Sequence, residues 1–441
     1  MFASPRFSHA TLALSLSCSS SAALAGYQFE YENMNGEVTL GAGAGSISSN
    51  NINFGSGRVD QRSGKNTGSK AFWQEAFLKP GITLDFKATS EIDLLAGGSV
   101  IGAATWGDGD AGGYSRSSDG NVAVEELYAG FRAGELTFTA GRQNYMVGTG
   151  FIVMDGHLDE FKDGAYFLAP RTAFRDSAVL GIDHDTLKMQ AFTLKTDDHF
   201  GDFRLNGINL DYSANNWVTL GAMVMKVNAP YNSTTTRDGM EVYNLRALNG
   251  KFPALPALTL NGEYAIQRGD GAGYTYNAYA WYTQADYALD SLPLKPTLGY
   301  RYATFSGDDN LNDNQKRSWD SLSKGYIGWG TWLIGDVVGN YLLFNSNQRV
   351  QQFSLKTQLT DTLTLGGIYY QFWLDKPNYY GTPVSDRRFA DEYALYLDWT
   401  PTPAFYTSLS YNWVKPKRGA EQIFNGKRDF NTLELYFTYR Y

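Results

Sequence analysis

The chain has no apolar run long enough to cross a membrane as a helix. Such a crossing needs about 20 consecutive apolar residues, and no stretch after residue 25 approaches this. Charge is also scarce at 19%, whereas aromatic residues make up 15% and glycine occurs 47 times. A single soluble core rarely exceeds about 250–300 residues, and no Pro- or Ser-rich linker divides these 441 residues. The composition is typical of a closed barrel with an uncharged outer band.

Cysteine is nearly absent. Cys18 is the only one, and it lies in an N-terminal segment whose single charge is Arg6. An apolar stretch at 10–17 and a small-residue triplet at 23–25 follow the pattern of a secretory signal peptide. Ser15 stands where a lipoprotein signal would have leucine, so no lipid anchor is expected. We predict a signal peptide at 1–25 and one barrel domain at 26–441, whose net charge becomes −9 when Arg6 is removed from the −8 of the whole chain.

Catalytic motifs are missing as well. The three histidines after the signal segment, His157, His184 and His199, have no second histidine at helical or strand spacing. The sequence has no phosphate-binding loop, zinc-ligand spacing or G-x-S-x-G element. Two acidic segments, 108–110 and 308–313, carry oxygen ligands suited to calcium but lack the glutamate of an EF-hand loop. We therefore expect no enzymatic activity, no cofactor, no metal centre and no nucleic-acid partner.

The C-terminal residues alternate with a period of two. Leu433, Leu435, Phe437, Tyr439 and Tyr441 are apolar, and polar or amphipathic residues lie between them. This alternation directs one set towards lipid and the other towards a lumen. A soluble edge strand with the same pattern would be an aggregation hazard. A last strand that ends on an aromatic residue also resembles the signal read by the barrel-assembly machinery, which we expect as a partner.

The same period recurs along the chain. It is clear at 82–88, 353–359, 393–399 and 405–413. Tight turns at 89–91, 360–362 and 400–403 contrast with long polar loops at 48–70, 107–121, 306–324, 376–388 and 415–428. These features predict an all-β, antiparallel transmembrane barrel of about 16–18 strands, with short periplasmic turns and long extracellular loops. We expect it in the outer membrane of a Gram-negative bacterium, in contact with lipid and lipopolysaccharide.

One segment breaks the pattern. Residues 145–178 show weak alternation, several charges and Pro170. A barrel of 16–18 strands has a lumen too wide for wall side chains to fill, so this segment is a candidate constriction. It either folds into the lumen or lies outside as an extracellular loop, and the sequence favours neither.

Several segments resemble the alginate-export family. The more specific are YRYATFSGDD at 300–309, GYIGWGTW at 325–332, GDVVGNYLLFNSN at 335–347 and YYQFWLDKP at 369–377; EELYAGF at 125–131 and LTFTAGRQ at 136–143 are weaker. The resemblance implies an 18-stranded barrel that exports an anionic polysaccharide, with periplasmic secretion proteins as partners that deliver it. It also implies a lumen lined with arginine and lysine, whose cationic groups attract carboxylates.

Strand parity selects basic residues for such a lining. Arg301 lies on the face opposite Leu298 and Tyr300, and the same reading directs Lys356, Arg440 and Lys87 inward. Arg142 is a candidate because it belongs to the family motif. Its parity would place it on the lipid face, unless Gly141 forms a β-bulge or the strand has already ended. Arg171 and Arg175, with Lys162, join the set if residues 145–178 fold inward.

Two functions remain open at this stage. The first is a channel that exports an anionic, alginate-like exopolysaccharide through an arginine- and lysine-lined lumen. The alternative is an uptake porin for small anions, sugars or oligosaccharides, which inward-facing Tyr396 and Tyr406 favour. Asp85, Asp398 and Glu434 also face inward by parity, so net charge does not decide between them. A barrel enzyme or adhesin with a sealed lumen is the least favoured reading.

Overall fold

The computed structural model describes residues 26–441 apart from 215–216, 231–236 and 326–334. The predicted signal peptide at 1–25 and most of the GYIGWGTW segment therefore lie outside the described residues. A large antiparallel sheet dominates the rest. Its long strands are, in chain order, β1 Met34–Asn50, β2 Lys70–Lys87, β3 Ile92–Gly107, β4 Gly120–Ala133, β5 Leu136–Gln143, β6 Phe174–His184, β7 Leu187–Lys195, β8 Arg204–Ala214, β9 Val218–Asn228, β10 Glu241–Phe252, β11 Leu255–Arg268, β12 Ala278–Ala288, β13 Thr297–Phe305, β14 Gln348–Thr360, β15 Leu363–Leu374, β16 Arg388–Thr402, β17 Phe405–Pro416 and β18 Phe430–Arg440.

The sheet closes into a barrel because β1 pairs with both β2 and β18. At the seam, Ser48 of β1 lies opposite Leu433 of β18. The sheet has 19 strands in total, and the extra one, Tyr27–Tyr31, pairs only with the first residues of β1. The ring itself therefore has eighteen strands. This confirms the predicted all-β antiparallel barrel and the eighteen-strand count that the resemblance implied.

Alternation along β18 separates an outer face from an inner one. Leu433, Leu435 and Phe437 are 47%, 49% and 41% exposed, whereas Thr432 and Glu434 are buried. Large exposed apolar side chains recur at alternate positions of many strands, for example Leu298 and Tyr300 on β13. A contiguous apolar surface of this kind is stable only against lipid. The outward face predicted for the terminal strand is confirmed.

A row of aromatic side chains crosses five neighbouring strands on the outer face. The rings contact one another in sequence, with centroid separations between 4.8 and 6.2 Å. The members of this row are Tyr300, Phe353, Tyr369, Tyr393 and Trp413. Cross-strand aromatic pairs stabilise a sheet, and a row of this kind is typical of the aromatic girdle at a membrane interface.

The two rims of the barrel differ. One rim carries the tightest turns, at 134–135, 185–186, 361–362 and 403–404, and the start of β1 and the end of β18 lie on that side. The opposite rim carries the longest loops, which include 51–69, 144–173 and 306–347. This asymmetry agrees with the predicted division into short turns and long loops.

Short helices and strands lie in the loops of the long-loop rim. None of the helices in the described part of the chain is long and apolar enough to cross a membrane. The short elements are α1 Arg418–Phe424, the 3-10 turns Ile52–Gly55 and Phe161–Asp163, the π-turn Val338–Leu342, a small sheet of Asp270–Gly271, Tyr274–Tyr276 and Gln315–Lys316, and the hairpin of Asn378–Tyr379 with Thr382–Pro383.

Two of the long loops enter the barrel. Residues 144–173, called L3 below, include many buried side chains, among them Val153 and Arg171. The described residues of the loop 306–347, called L7, include buried Trp319 and Val338. The weakly alternating segment therefore folds into the lumen and does not lie outside as an extracellular loop. Its observed bounds are 144–173 instead of 145–178, because Phe174 already begins β6.

L3 and L7 pack against each other inside the lumen. Val153 forms a parallel bridge with Ser323, and the N–H of Met154 donates to the Ser323 carbonyl at 2.7 Å. Beside this bridge the Phe151 ring stacks on Trp319 with centroids 6.0 Å apart. Backbone pairing and buried aromatic contact together make one unit of the two loops.

Candidate functional site: the passage between two inward loops

Buried glutamates of the wall hold L3 in place. Glu75 on β2 accepts the N–H groups of Phe167 and Leu168 at 3.2 and 2.9 Å. Glu125 on β4 accepts those of Thr172 and Ala173 at 2.8 and 2.9 Å. Loop backbone that leaves regular structure needs acceptors for its N–H groups, and a carboxylate supplies them strongly. The two glutamates therefore fix the second half of L3 against the wall.

L7 is fixed in the same way by an acid on another strand. Glu392 on β16 accepts the N–H groups of Val337 and Val338 at 3.2 and 2.8 Å. Next to them, the Asp336 carboxylate accepts the side-chain amide of Asn412 on β17 at 2.8 Å. The wall thus orients both loops through inward acids on several strands.

A cavity, called the passage below, lies between these loops and the wall. It has a volume of about 150 Å³ and is bounded by β1, β2, β18, L3, L7 and the loop at 108–119. Every inward position of β18 from Phe430 to Thr438 borders it. At about 3.3 Å per residue these positions span roughly 26 Å of strand, so the passage follows much of the barrel wall.

The lining of this passage is aromatic and acidic. L3 contributes Tyr166 and Phe167, and L7 contributes Tyr341 and Phe344. Four carboxylic acids also border the cavity: Asp110, Asp155, Asp336 and Glu434. Among the described residues that line it there is no lysine or arginine.

Basic groups lie beside two of these acids, Asp155 and Asp110. Burial raises the pKa of Asp155 well above its usual value. Burial also lowers the pKa of Lys324 to about 7, although the neighbouring Asp155 opposes that shift. Arg58 donates to the carbonyl oxygens of Asp108 and Gly109 at 2.6 and 2.7 Å, which places its charge beside Asp110.

Arg301, the leading sequence candidate, lies inside the barrel but away from the passage lining. It is 3% exposed, and its guanidinium donates to the amide oxygens of Gln284 at 3.1 Å and Gln352 at 3.3 Å. It also lies 5.5 Å from the centroid of the Tyr282 ring. The strand parity that directs Arg301 inward agrees with the structure, but the residue is packed beneath the loops.

Arg142 escapes the lipid face through an irregularity in its strand. The register of β5 against β6 shifts between Gly141 and Gln143, and Gly141 has φ of +130°. The Arg142 side chain then reaches the Glu125 carbonyl at 2.9 Å and lies 3.7 Å from Asp197. The sequence allowed either a β-bulge at Gly141 or an earlier end of the strand, and the structure has the irregular register at Gly141.

The candidates from the inward segment separate in the structure. Arg171 is buried in L3, where it binds the Asp159 carboxylate at 2.7 Å. Arg175 lies on β6 instead of L3 and pairs with Asp198 and Asp202 in the next loop. Lys162 is exposed. Folding of the segment into the lumen therefore does not bring the three cations together.

The remaining candidates lie on the wall towards the tight-turn rim. Lys356 is partly buried and interacts electrostatically with Asp286 and Asp398. Arg440 is partly buried near the tight-turn rim, and Lys87 is exposed at the end of β2. These three basic candidates thus lie on different strands, and none of them borders the passage.

Sequence reasoning missed the anchoring acids. Glu434 was named as an inward acid, but Glu75, Glu125 and Glu392 were not. Each has the inward parity of its strand, and that signal was available. Parity does not distinguish a carboxylate that pairs with a wall arginine from one that binds a loop folded from elsewhere in the sequence.

A closed, lipid-facing barrel with a passage beside inward loops is an outer-membrane channel. The sequence profile of the alginate-export family matches residues 115–379, more than half of the chain. The chain belongs to that family. No curated protein matches the sequence.

Solved structures of similar fold include OccAB2 of Acinetobacter baumannii, with 13% identity, a TM-score of 0.58, and coverage of 92% of this chain and 98% of that one. OccD3 (OpdP) of Pseudomonas aeruginosa has 14% identity and a TM-score of 0.57, with coverage of 92% and 91%. OpdK of the same organism, solved with vanillate, has 13% identity and a TM-score of 0.57, with coverage of 92% and 98%. At these identities the likeness concerns the fold alone.

Proposed function

We propose that this channel takes up small hydroxylated solutes, namely sugars or short oligosaccharides. The observation that carries the proposal is the placement of aromatic rings on both inward loops at the passage, Tyr166 and Phe167 on L3 and Tyr341 and Phe344 on L7. Aromatic rings stack against the apolar faces of pyranose rings, while nearby carboxyl and hydroxyl groups bind sugar hydroxyls.

The anchoring of L3 and L7 supports a route of limited width. Both loops are bonded to the wall at buried glutamates and to each other at Val153 and Ser323. A passage with fixed walls discriminates by size and by the groups that line it. OpdK, whose fold is similar, has been solved with the small molecule vanillate, in keeping with small cargo for a barrel of this shape.

Export of an anionic polysaccharide is the second candidate, and family membership favours it. Such a polymer would need cationic groups along its path. Arg301, Lys356 and Arg440 would have to provide them, together with periplasmic proteins that deliver the polymer. In its favour, these three side chains lie on the inner wall; against it, none of them lines the passage.

Swelling of liposomes that contain the purified channel tests the two candidates. We expect entry of glucose and of a disaccharide, with the rate falling as the sugar lengthens, and little block by mannuronate oligomers. Block of the ion current by micromolar mannuronate oligomers, with no glucose entry, would favour export instead. In cells, deletion of the gene should impair growth on a sugar and leave exopolysaccharide secretion intact.

A further inference from the structure

A group of polar side chains lies where the barrel seam borders the passage. Ser49 of β1 pairs with Thr432 of β18, and the Thr432 hydroxyl donates to Glu434 at 2.9 Å. Asp336 of L7 interacts with Glu434 from the facing side. We call Ser49, Asp336 and Glu434 the acid patch; all three are buried and line the cavity.

No lysine or arginine among the described residues of the cavity lining pairs with the acids of this patch. Of the four acids in the lining, Asp110 has Arg58 beside it and Asp155 has Lys324. Asp336 and Glu434 form no ion pair with any residue that the structure describes. Burial raises the pKa of Asp336 well above its usual value, and the neighbouring Glu434 and Glu392 raise it further. Acids placed together without a base bind either a proton or another cation.

Two buried polar atoms at the patch lack protein partners. The hydroxyl oxygen of Ser49, a residue 1% exposed, has no hydrogen-bond partner in the described part of the chain. The same holds for the amide oxygen of Asn412, whose nitrogen donates to Asp336. A buried polar atom without a partner is costly, and here one such atom faces a cavity that admits a ligand.

We propose that the acid patch binds the ammonium group of an amine-bearing sugar as it crosses the passage. An ammonium group donates three hydrogen bonds and accepts none, which suits Asp336 and Glu434, while the Ser49 hydroxyl is free to bind a sugar hydroxyl. Tyr341 and Tyr436 border the same cavity and supply ring faces for the pyranose and for the cation. This inference rests on the proposed uptake of sugars and specifies the charge that the channel prefers.

Three sugars with one ring and different charges test the inference: glucosamine, glucose and glucuronate at pH 7. In liposome swelling we expect glucosamine to enter several-fold faster than glucose, and glucuronate to enter slowest. If glucuronate equals or exceeds glucosamine while glucose still enters, the acid patch is not a cation site, although the proposed function survives. If glucose does not enter at all, the proposed function itself fails.

The double variant Asp336→Asn with Glu434→Gln keeps the shape and the hydrogen-bonding groups of the patch. We expect it to remove the preference for glucosamine over glucose, measured as the ratio of their two entry rates. Asp185→Asn, at an exposed turn of the opposite rim, is the matched control and should change nothing. A double variant that migrates as a folded barrel in unheated gels and retains the full preference would overturn the inference.

Discussion

The carboxylate of Glu392 accepts the backbone N–H of Val338 at 2.8 Å. Glu392 belongs to the wall strand β16, whereas Val338 lies in L7, more than fifty residues earlier in the chain. The bond ties an inward loop to the barrel at a buried position, and the neighbouring Val337 adds a second one. The position of L7, and hence the width of the passage, depends on this carboxylate.

Replacement of Glu392 by alanine should release L7. Buried hydrogen bonds to a charged acceptor contribute roughly 1.5–3 kcal/mol each. Without them, the state with L7 bound to the wall is no longer strongly favoured over the state with this end of L7 released. We expect a higher single-channel conductance and more current noise in planar bilayers. Glu91→Gln, at an exposed turn, is the control. Unchanged conductance in folded Glu392→Ala would show that L7 is held elsewhere.

Cysteines at positions 153 and 323 should form a disulfide without altering the current. Val153 and Ser323 already face each other in a backbone bridge, and Cys18 is the only native cysteine, so oxidation products are simple to interpret. We expect a mobility shift on a non-reducing gel and equal conductance before and after reduction. A current that rises on reduction would mean that the two loops separate during conduction.

Replacement of Arg301 by glutamine should affect stability more than selectivity. The guanidinium is buried on Gln284 and Gln352 and does not border the passage, so its loss costs about 1–3 kcal/mol of unfolding free energy. The reversal potential across a salt gradient should stay the same. A shift of that potential towards cations would place Arg301 on the ion path, as the export function requires. Exposed Lys162→Gln is the control.

His157 should make the docking of L3 sensitive to acid. Burial lowers its pKa to about 4 from 6.5, although Asp197 and Asp163 oppose the shift. Between those pH values the unfolded imidazole binds a proton and the folded one does not, so its contribution to stability falls as the pH drops through this window. The loss is at most about 3 kcal/mol.

The measurement is the unfolding free energy in detergent micelles as a function of pH. Asp159 and Glu160 act in the opposite direction, because burial raises the pKa of both to about 7. The wild type is therefore compared with His157→Gln. The stability advantage of the wild type should shrink from pH 6.5 to 4; an advantage that grows towards low pH would contradict a neutral, buried His157.

The wall of this protein could be predicted from its sequence with few errors. Leu433, Leu435 and Phe437 face lipid because side chains alternate about a strand with a period of two, and this alternation is written directly in the residue order. The same rule directed Arg301 and Glu434 inward. It failed at Arg142, where an irregular register at Gly141 interrupts the period.

The passage could not be predicted in this way, and only the tertiary structure decided it. L3 and L7 have no periodic pattern, and their places depend on bonds between residues far apart in the chain, such as Glu75 with Leu168 and Glu392 with Val338. An inward glutamate can neutralise a wall arginine or hold a loop, and the residue order does not say which. The sequence by itself therefore determined the barrel and its lipid-facing surface, whereas the folded loops decided which inward groups a solute meets.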